Sequence, residues 1–597
     1  MGLQGLNETW DLEGIFPGGS ESKEFAGYID QLGADIEKLQ GEIEGFPVLT
    51  SADQADRLKN LFAQIEDVQA RLHESNAFIS CLTAQDVNDK KAVRLRGRLR
   101  ELGAAQATGL TKLDARLVDI DDQVWEALLA DEGLKSIAFP LNERRRRATD
   151  KMSPAQEALV NDLQVDGYDA WSGLYDLIVG KMKVDVETDG ETETLSVSQL
   201  SNRLSSPNRS VRKKMFEKYT NAWEDVADYS SEALNHISGF RLNVYKHRGW
   251  DSFLKEPLDI NRMTSGTLDA MWQAIDARKD DYVKYFNRKA KLLGLDKLAW
   301  YDVNAPIAKS DEKVSYDEAA QFIVEHFQRF SPDMADFARK ALENRWIEVE
   351  DRSGKRPGGF CTSLPVSGET RVFMTFSGTK ENIATLAHEL GHAYHQNVMR
   401  GVPYLAQRYA MNVAETASTF AEAIVSDASV KQAASKEERL ALMESKVQRG
   451  VTFFTNLRAR FLFETRLYEE RKNGLVSVER LNELMVEAQK EAFGGALSEY
   501  HPNFWASKLH FYITGTPFYN FPYTFGYLFS SGIYARALEE GSGFADKYVA
   551  LLRDTGRMKV EDLAAKHLDV DLTKPEFWEN AVGLTVDGID EFIKETE

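Results

Sequence analysis

The chain is 597 residues long, 43% hydrophobic, and carries 94 acidic against 73 basic side chains for a formal charge of −21. Such a length exceeds what one apolar core organises, so at least two packed units are expected, and the negative charge argues against nucleic acid or an anionic membrane surface as a partner. Only Cys81 and Cys361 are present, which excludes a disulfide framework and fits a reducing compartment, and no stretch approaches the ~18 apolar residues of a membrane span.

Residues 1–20 show no basic start followed by an apolar run, and Leu6 stands where a myristoylation start needs serine or threonine, so the cytoplasm is the expected location. From Ser51, Leu58, Leu61, Ile65, Val68 and Leu72 recur at spacings of three and four, which lines one helix face. The same pattern through Val93–Leu102 and Leu110–Leu129 predicts a helical N-terminal domain. The run Arg144–Arg147 reads as a solvated helix face making dispersed ion pairs rather than as an anion site. Met182, Val184 and Val186 then alternate with polar residues before Asp189-Gly190, a hairpin signal taken as the junction between domains at 1–190 and 191–597. Ser196–Lys218 and Asp225–Tyr245 return to helical spacing, and the fold is expected to be mainly α.

One β element is expected within the second domain. Gly358–Pro365 and Thr370–Phe376 are short β-prone runs joined through Ser367-Gly368, which predicts a small antiparallel hairpin. Thr379 occupies a helix N-cap position, and Ile383, Leu386, Leu390 and Ala393 carry a helix toward its end at Gly401 and Pro403.

That helix carries His388-Glu389-Leu390-Gly391-His392. Histidines four apart share a helix face and can hold one ion between them, with Glu389 beside them as a general base for water. A catalytic zinc typically takes three protein ligands, so a third must come from elsewhere. His395 shares the face but lies about 4.5 Å along the axis beyond His392. Glu415, on a second helical run from Met411 to Val425, is preferred, because a turn at Gly401–Tyr404 can fold it back; Glu422 is the fallback ligand or a supporting partner. Further on, His510–Tyr527 combines an imidazole with Tyr512, Tyr519, Tyr523 and Tyr527, donors that could stabilise an oxyanion if folded over the metal.

Taken together, Gly354–Phe360, the strand Val372–Phe376, Thr385–His395 with its central His-Glu-Leu-Gly-His, Val413–Ser418 and the late His510 with its tyrosines resemble the oligoendopeptidase F branch of the thimet oligopeptidase family of zinc metallopeptidases. The likeness is strong from Ser196 to the end and weaker before it. It implies a large multi-helix ellipsoid divided by a deep substrate channel, with one zinc ion per chain on His388, His392 and Glu415. Glu389 would activate water, and His510 with Tyr519 or Tyr523 would stabilise the transition state. Val372, Phe373 and Met374 would pair with the substrate backbone as an added strand, with Tyr527 behind the other tyrosines.

The function expected is therefore endoproteolysis of short unstructured peptides. One alternative is an exopeptidase, which needs a terminal-charge clamp, and no arginine or lysine stands out in the sequence as one. The other is a peptide-binding protein with a structural metal; Glu389 argues against it, as does the absence of cysteine from the ligand set.

Overall fold

A computed structural model describes residues 3–188, 190–308 and 313–597. The chain is mainly helical, with two small sheets among the described residues. The N-terminal helices Lys23–Glu44, Ala55–Gln85 and Lys90–Val118 bury Phe25, Ile29, Leu32, Leu58, Ile65 and Leu113 in one core, as their spacing predicts. The Arg144–Arg147 run lies in helix Ala138–Thr149 and is consumed by ion pairs: Arg144 with Asp114, Arg145 with Asp122, and Arg146 and Arg147 both with Asp259.

The expected hairpin is present as β1 (Lys183–Thr188) and β2 (Glu191–Ser196), paired antiparallel with Val186 opposite Glu193. Asp189 of its turn lies outside the described residues. The division expected at 190/191 falls at the turn of this hairpin. Tyr168, Tyr175, Met182 and Val186 share a second core with Leu234, Leu467, Leu484 and Trp505, whereas the N-terminal core runs from Trp10 to Leu141 and takes Phe360, Phe373 and Leu405 from later in the chain. The change of core falls between Leu141 and Tyr168.

A three-stranded sheet precedes the histidine motif, in the order β3 (Ile347–Glu348), β5 (Glu369–Phe373), β4 (Phe360–Leu364). The hairpin β4–β5 matches expectation, with Cys361 opposite Val372. The parallel partner β3 was not expected, since two residues carry no readable alternation. This alters one functional expectation. Val372 is paired on both sides and its N–H donates to Trp346; the Met374 N–H donates to Glu348. Val372, Phe373 and Met374 are buried, so they cannot offer their backbone to a peptide as an added strand. The outer strand on the motif side is β4.

Thr379 caps the helix Lys380–Val398, its hydroxyl accepting from the Asn382 N–H while the Asn382 side chain accepts from the Thr379 N–H, both at 3.3 Å. After short turns at Met399–Gly401 and Tyr404–Gln407 the chain returns as helix Met411–Lys431. Helix Phe521–Glu540 packs on the other side of that second helix, with Pro522 in its first turn, and the three form the centre of the third and largest core.

Candidate metal centre and catalytic site

Bringing a glutamate to two histidines on a neighbouring helix requires close backbones, and the residues between the histidines allow it. At Gly391 an added Cβ would stand 2.5 Å from the Ala417 carbonyl oxygen, 2.7 Å from Ser418 Cα and 2.8 Å from Ala421 Cβ. Only glycine fits there. Gly526, on the third helix, plays the same part against Glu415, whose Cβ would lie 3.0 Å from an added methyl group.

The result is a convergent donor set. His388 Nε2 and His392 Nε2 lie 3.2 and 3.4 Å from the same Glu415 carboxylate oxygen, and one donor atom of each of the three residues falls within 4.8 Å of the others. Two imidazoles and a carboxylate suit a divalent transition ion. The other His388 nitrogen, Nδ1, donates to Glu422 at 3.1 Å, which turns Nε2 toward Glu415, and Glu422 is itself held by Arg449. Ser418 donates to Glu415 at 2.7 Å. Glu422 thus orients the His388 ring rather than joining the set.

The two carboxylates of the site are driven apart electrostatically. Burial works against ionisation of Glu415, yet the His388 hydrogen bond, the charges of both histidines and the Ser418 hydroxyl hold it down to about 2. Glu389 is pushed up to about 7, chiefly by burial, with His388 opposing and Glu415 reinforcing the shift. One permanent anion beside one proton acceptor poised near neutrality is an acid–base division of labour. Glu389 Oε2 is buried without a hydrogen-bond partner, and Gly359 at the head of β4 lets the strand approach its other oxygen, since a Cβ there would lie 3.2 Å from Oε1. His395 points elsewhere: its Nε2 meets Thr555 Oγ1 at 2.9 Å and its ring stacks on Tyr409.

His510, Tyr519 and Tyr523 come together, with ring centroids 5.3 Å (His510–Tyr519), 6.3 Å (His510–Tyr523) and 5.7 Å (Tyr519–Tyr523) apart. Glu415 is close enough to raise the Tyr523 phenol, after burial and the Tyr519 hydroxyl. His510 is kept neutral at about 4 by burial and by Arg460 and Lys508, and its Nδ1 has no partner. Tyr527 is not part of this group. One helical turn past Tyr523, its hydroxyl meets Thr585 at 3.1 Å and its ring stacks on Phe453, so it walls a separate cavity with Glu422 and Arg449.

A groove of about 790 Å³ is lined by Thr362, Ser363 and Leu364 of β4, by His73 of the helix Ala55–Gln85 and by Gln396 and Arg400 beyond the histidines. It therefore lies where the two halves of the chain meet.

A sequence profile described as peptidase family M3 matches residues 203–584, and one described as oligopeptidase F matches residues 116–183. The chain belongs to peptidase family M3. Oligopeptidase PepF of Bacillus subtilis is 25% identical over 603 aligned positions, spanning 98% of this chain and 86% of that protein. The oligoendopeptidase F homolog of Lactococcus lactis is 23% identical over 95% of this chain and 94% of the relative. Among solved structures, a Chlamydophila abortus protein described as a candidate peptidase superposes with a TM-score of 0.83 at 19% identity over 98% of both chains. The oligoendopeptidase-F of Enterococcus faecium gives 0.69 at 17% identity over 96% of this chain and 98% of its own. These two share the M3 chain's fold. No helix among its described residues is long and apolar enough to cross a membrane.

Sequence reasoning missed Arg449 and the pair Arg460 and Lys508, brought near the M3 site from separate segments. None sits in a local pattern that marks it.

Proposed function

We propose that this M3 peptidase is a cytoplasmic, zinc-dependent endopeptidase that cuts internal bonds of short unstructured peptides. The observation that carries the reading is the buried, unpartnered oxygen of Glu389 beside three converging metal-donor atoms. His388, His392 and Glu415 fit one zinc ion, which when bound supplies Lewis acidity to water and to the scissile carbonyl. Glu389 takes the proton of the attacking water and returns it to the leaving amine, a role that fits a carboxyl poised near 7. The Tyr523 phenol, the Tyr519 phenol and the neutral His510 ring are hydrogen-bond donors grouped beside Glu415, placed to stabilise negative charge developing on the carbonyl oxygen. The groove along β4 supports capture of an extended peptide, with β4 taking the place in strand pairing first expected of Val372–Met374. Two unbridged cysteines fit a reducing compartment.

The test is an internally quenched peptide of about nine residues, enough to fill an extended groove, offered to the zinc-supplied protein, to its Glu389→Gln variant and to the chelated protein, with products mapped by mass. Internal cuts lost in the variant by about 10²–10⁴-fold are expected, with metal content retained. No cleavage of several peptides by protein holding one zinc per chain would instead mean a peptide-binding protein.

A further inference from the structure

Among the described residues, two cations near the tyrosines have no carboxylate partner. Lys508 Nζ lies 4.7 Å and the Arg460 guanidinium carbon 5.3 Å from the centroid of one ring, that of Phe504. Arg460 donates only to side-chain amides, Nε to Asn456 at 2.9 Å and Nη1 to Asn520 at 3.0 Å. Lys508 has neither a hydrogen bond nor an ion pair among the described residues, although it is half-buried. In a chain with 94 acidic residues, two neighbouring half-buried cations that no described carboxylate pairs offer positive charge to an anion from outside the chain.

The space beside Lys508 has the matching character. A cavity of about 170 Å³ is lined by Lys508, Tyr219, Asn304, Thr452, Asn456 and His501, and no aspartate or glutamate enters its wall. His501 is 1% exposed, and neither of its ring nitrogens has a partner. Burial and the nearby Lys508 charge keep that ring neutral, at about 3, so it can donate one N–H into the cavity. Burial and Arg460 push the Lys508 ammonium down to about 7, and an anion bound beside it would raise it again. Lys508 precedes His510 by two residues, at most about 7 Å of backbone, and Arg460 is within electrostatic reach of Tyr523.

We propose that Lys508, supported by Arg460 and His501, forms a carboxylate subsite that anchors the bound peptide beside the reaction centre. The carboxylate is the peptide's own C-terminus or an acidic side chain. A charge-assisted contact at a fixed distance from His510 sets which bond reaches the site, so the subsite reads register and length. The proposal rests on the peptidase reading and adds to it a carboxylate anchor that the sequence alone did not reveal.

The experiment compares one quenched nonapeptide as free acid and as C-terminal amide, together with amide peptides carrying aspartate at each position in turn, on the zinc-loaded wild type and on Lys508→Met and Lys508→Arg. For wild type the free acid, or one aspartate position, is expected to show kcat/KM at least tenfold above the plain amide, mostly through KM. Lys508→Met should bring that ratio to about one, and Lys508→Arg should restore it. A preference for the free acid identifies the C-terminus as the source, and a preference for one aspartate position identifies a side chain. Equal cleavage of all peptides by wild type overturns the subsite while leaving the peptidase reading intact. If nothing is cleaved, fluorescence anisotropy of labelled acid, amide and aspartate peptides decides: a Lys508-dependent preference for a carboxylate upholds the subsite without the peptidase, and equal affinities reject it. The wild-type ratio needs no variant, so misfolding of Lys508→Met does not spare the proposal.

Discussion

Gly391→Ala separates helix propensity from metal-site geometry because the two predict opposite signs. In an exposed helix, replacing glycine by alanine stabilises by about 1 kcal/mol. Gly97, exposed in the helix Lys90–Val118 with nothing within 4 Å of an added Cβ, should show that gain. At Gly391 the new methyl group meets the Ala417 oxygen at 2.5 Å, against ~3.3 Å for a close C···O contact, so the helices must part by about 0.8 Å. Overpacking of this kind costs about 1–3 kcal/mol. The helix displaced carries Glu415, and a misplacement near 1 Å at a reacting constellation costs about 10²-fold. The assay is thermal melting of both metal-free variants, followed by zinc affinity from chelator competition and by peptide turnover. Gly391→Ala should melt below wild type, bind zinc at least tenfold more weakly and lose most of its turnover, while Gly97→Ala should melt slightly higher and bind normally. A Gly391→Ala protein that is stabilised like Gly97→Ala and keeps its zinc affinity would refute the claim that close helix packing builds the donor set.

Three further predictions follow from individual contacts. Glu422→Gln removes the charge between His388 Nδ1 and Arg449 and should weaken zinc binding about 10–100-fold in chelator competition; unchanged affinity would show that His388 needs no such support. Tyr523→Phe should lower turnover by about 10²–10³ with zinc content intact, and equal turnover would remove this phenol from the transition state. Glu464, fully buried with Oε2 unpartnered, is pushed up to about 8 by burial, with Arg241 and the Phe518 N–H opposing. A carboxyl raised in the folded state contributes most below its unfolded value of 4.5 and loses that contribution as pH climbs toward 8. The melting advantage of Glu464→Gln over wild type should therefore grow between pH 5 and pH 8, and a constant difference would contradict the burial argument.

What the sequence determined on its own is what a single element encodes. Spacings of three and four residues set the N-terminal helices, Thr379 and Asn382 set the start of the histidine helix, and its 3.6-residue period alone puts His388 and His392 on one face with His395 displaced. The hairpin β4–β5 was also legible, because alternation and a Ser-Gly turn are local signals. The assignment of Glu415 over Glu422 needed the return of a second helix, and the decisive contact, Gly391 against Ala417 and Ser418, joins residues that no local pattern relates. The sheet order had the same character. Pairing of β5 with Ile347–Glu348 is a long-range hydrogen-bonding choice, and it turned Val372–Met374 from an open edge into an interior strand. The packing of Tyr168–Val186 is also long-range in part, since these residues bury their side chains against Leu467 and Trp505 as well as against their sequence neighbours. Most of all, that no carboxylate among the described residues pairs with Lys508 is a property of everything around it, so only the tertiary structure could show it.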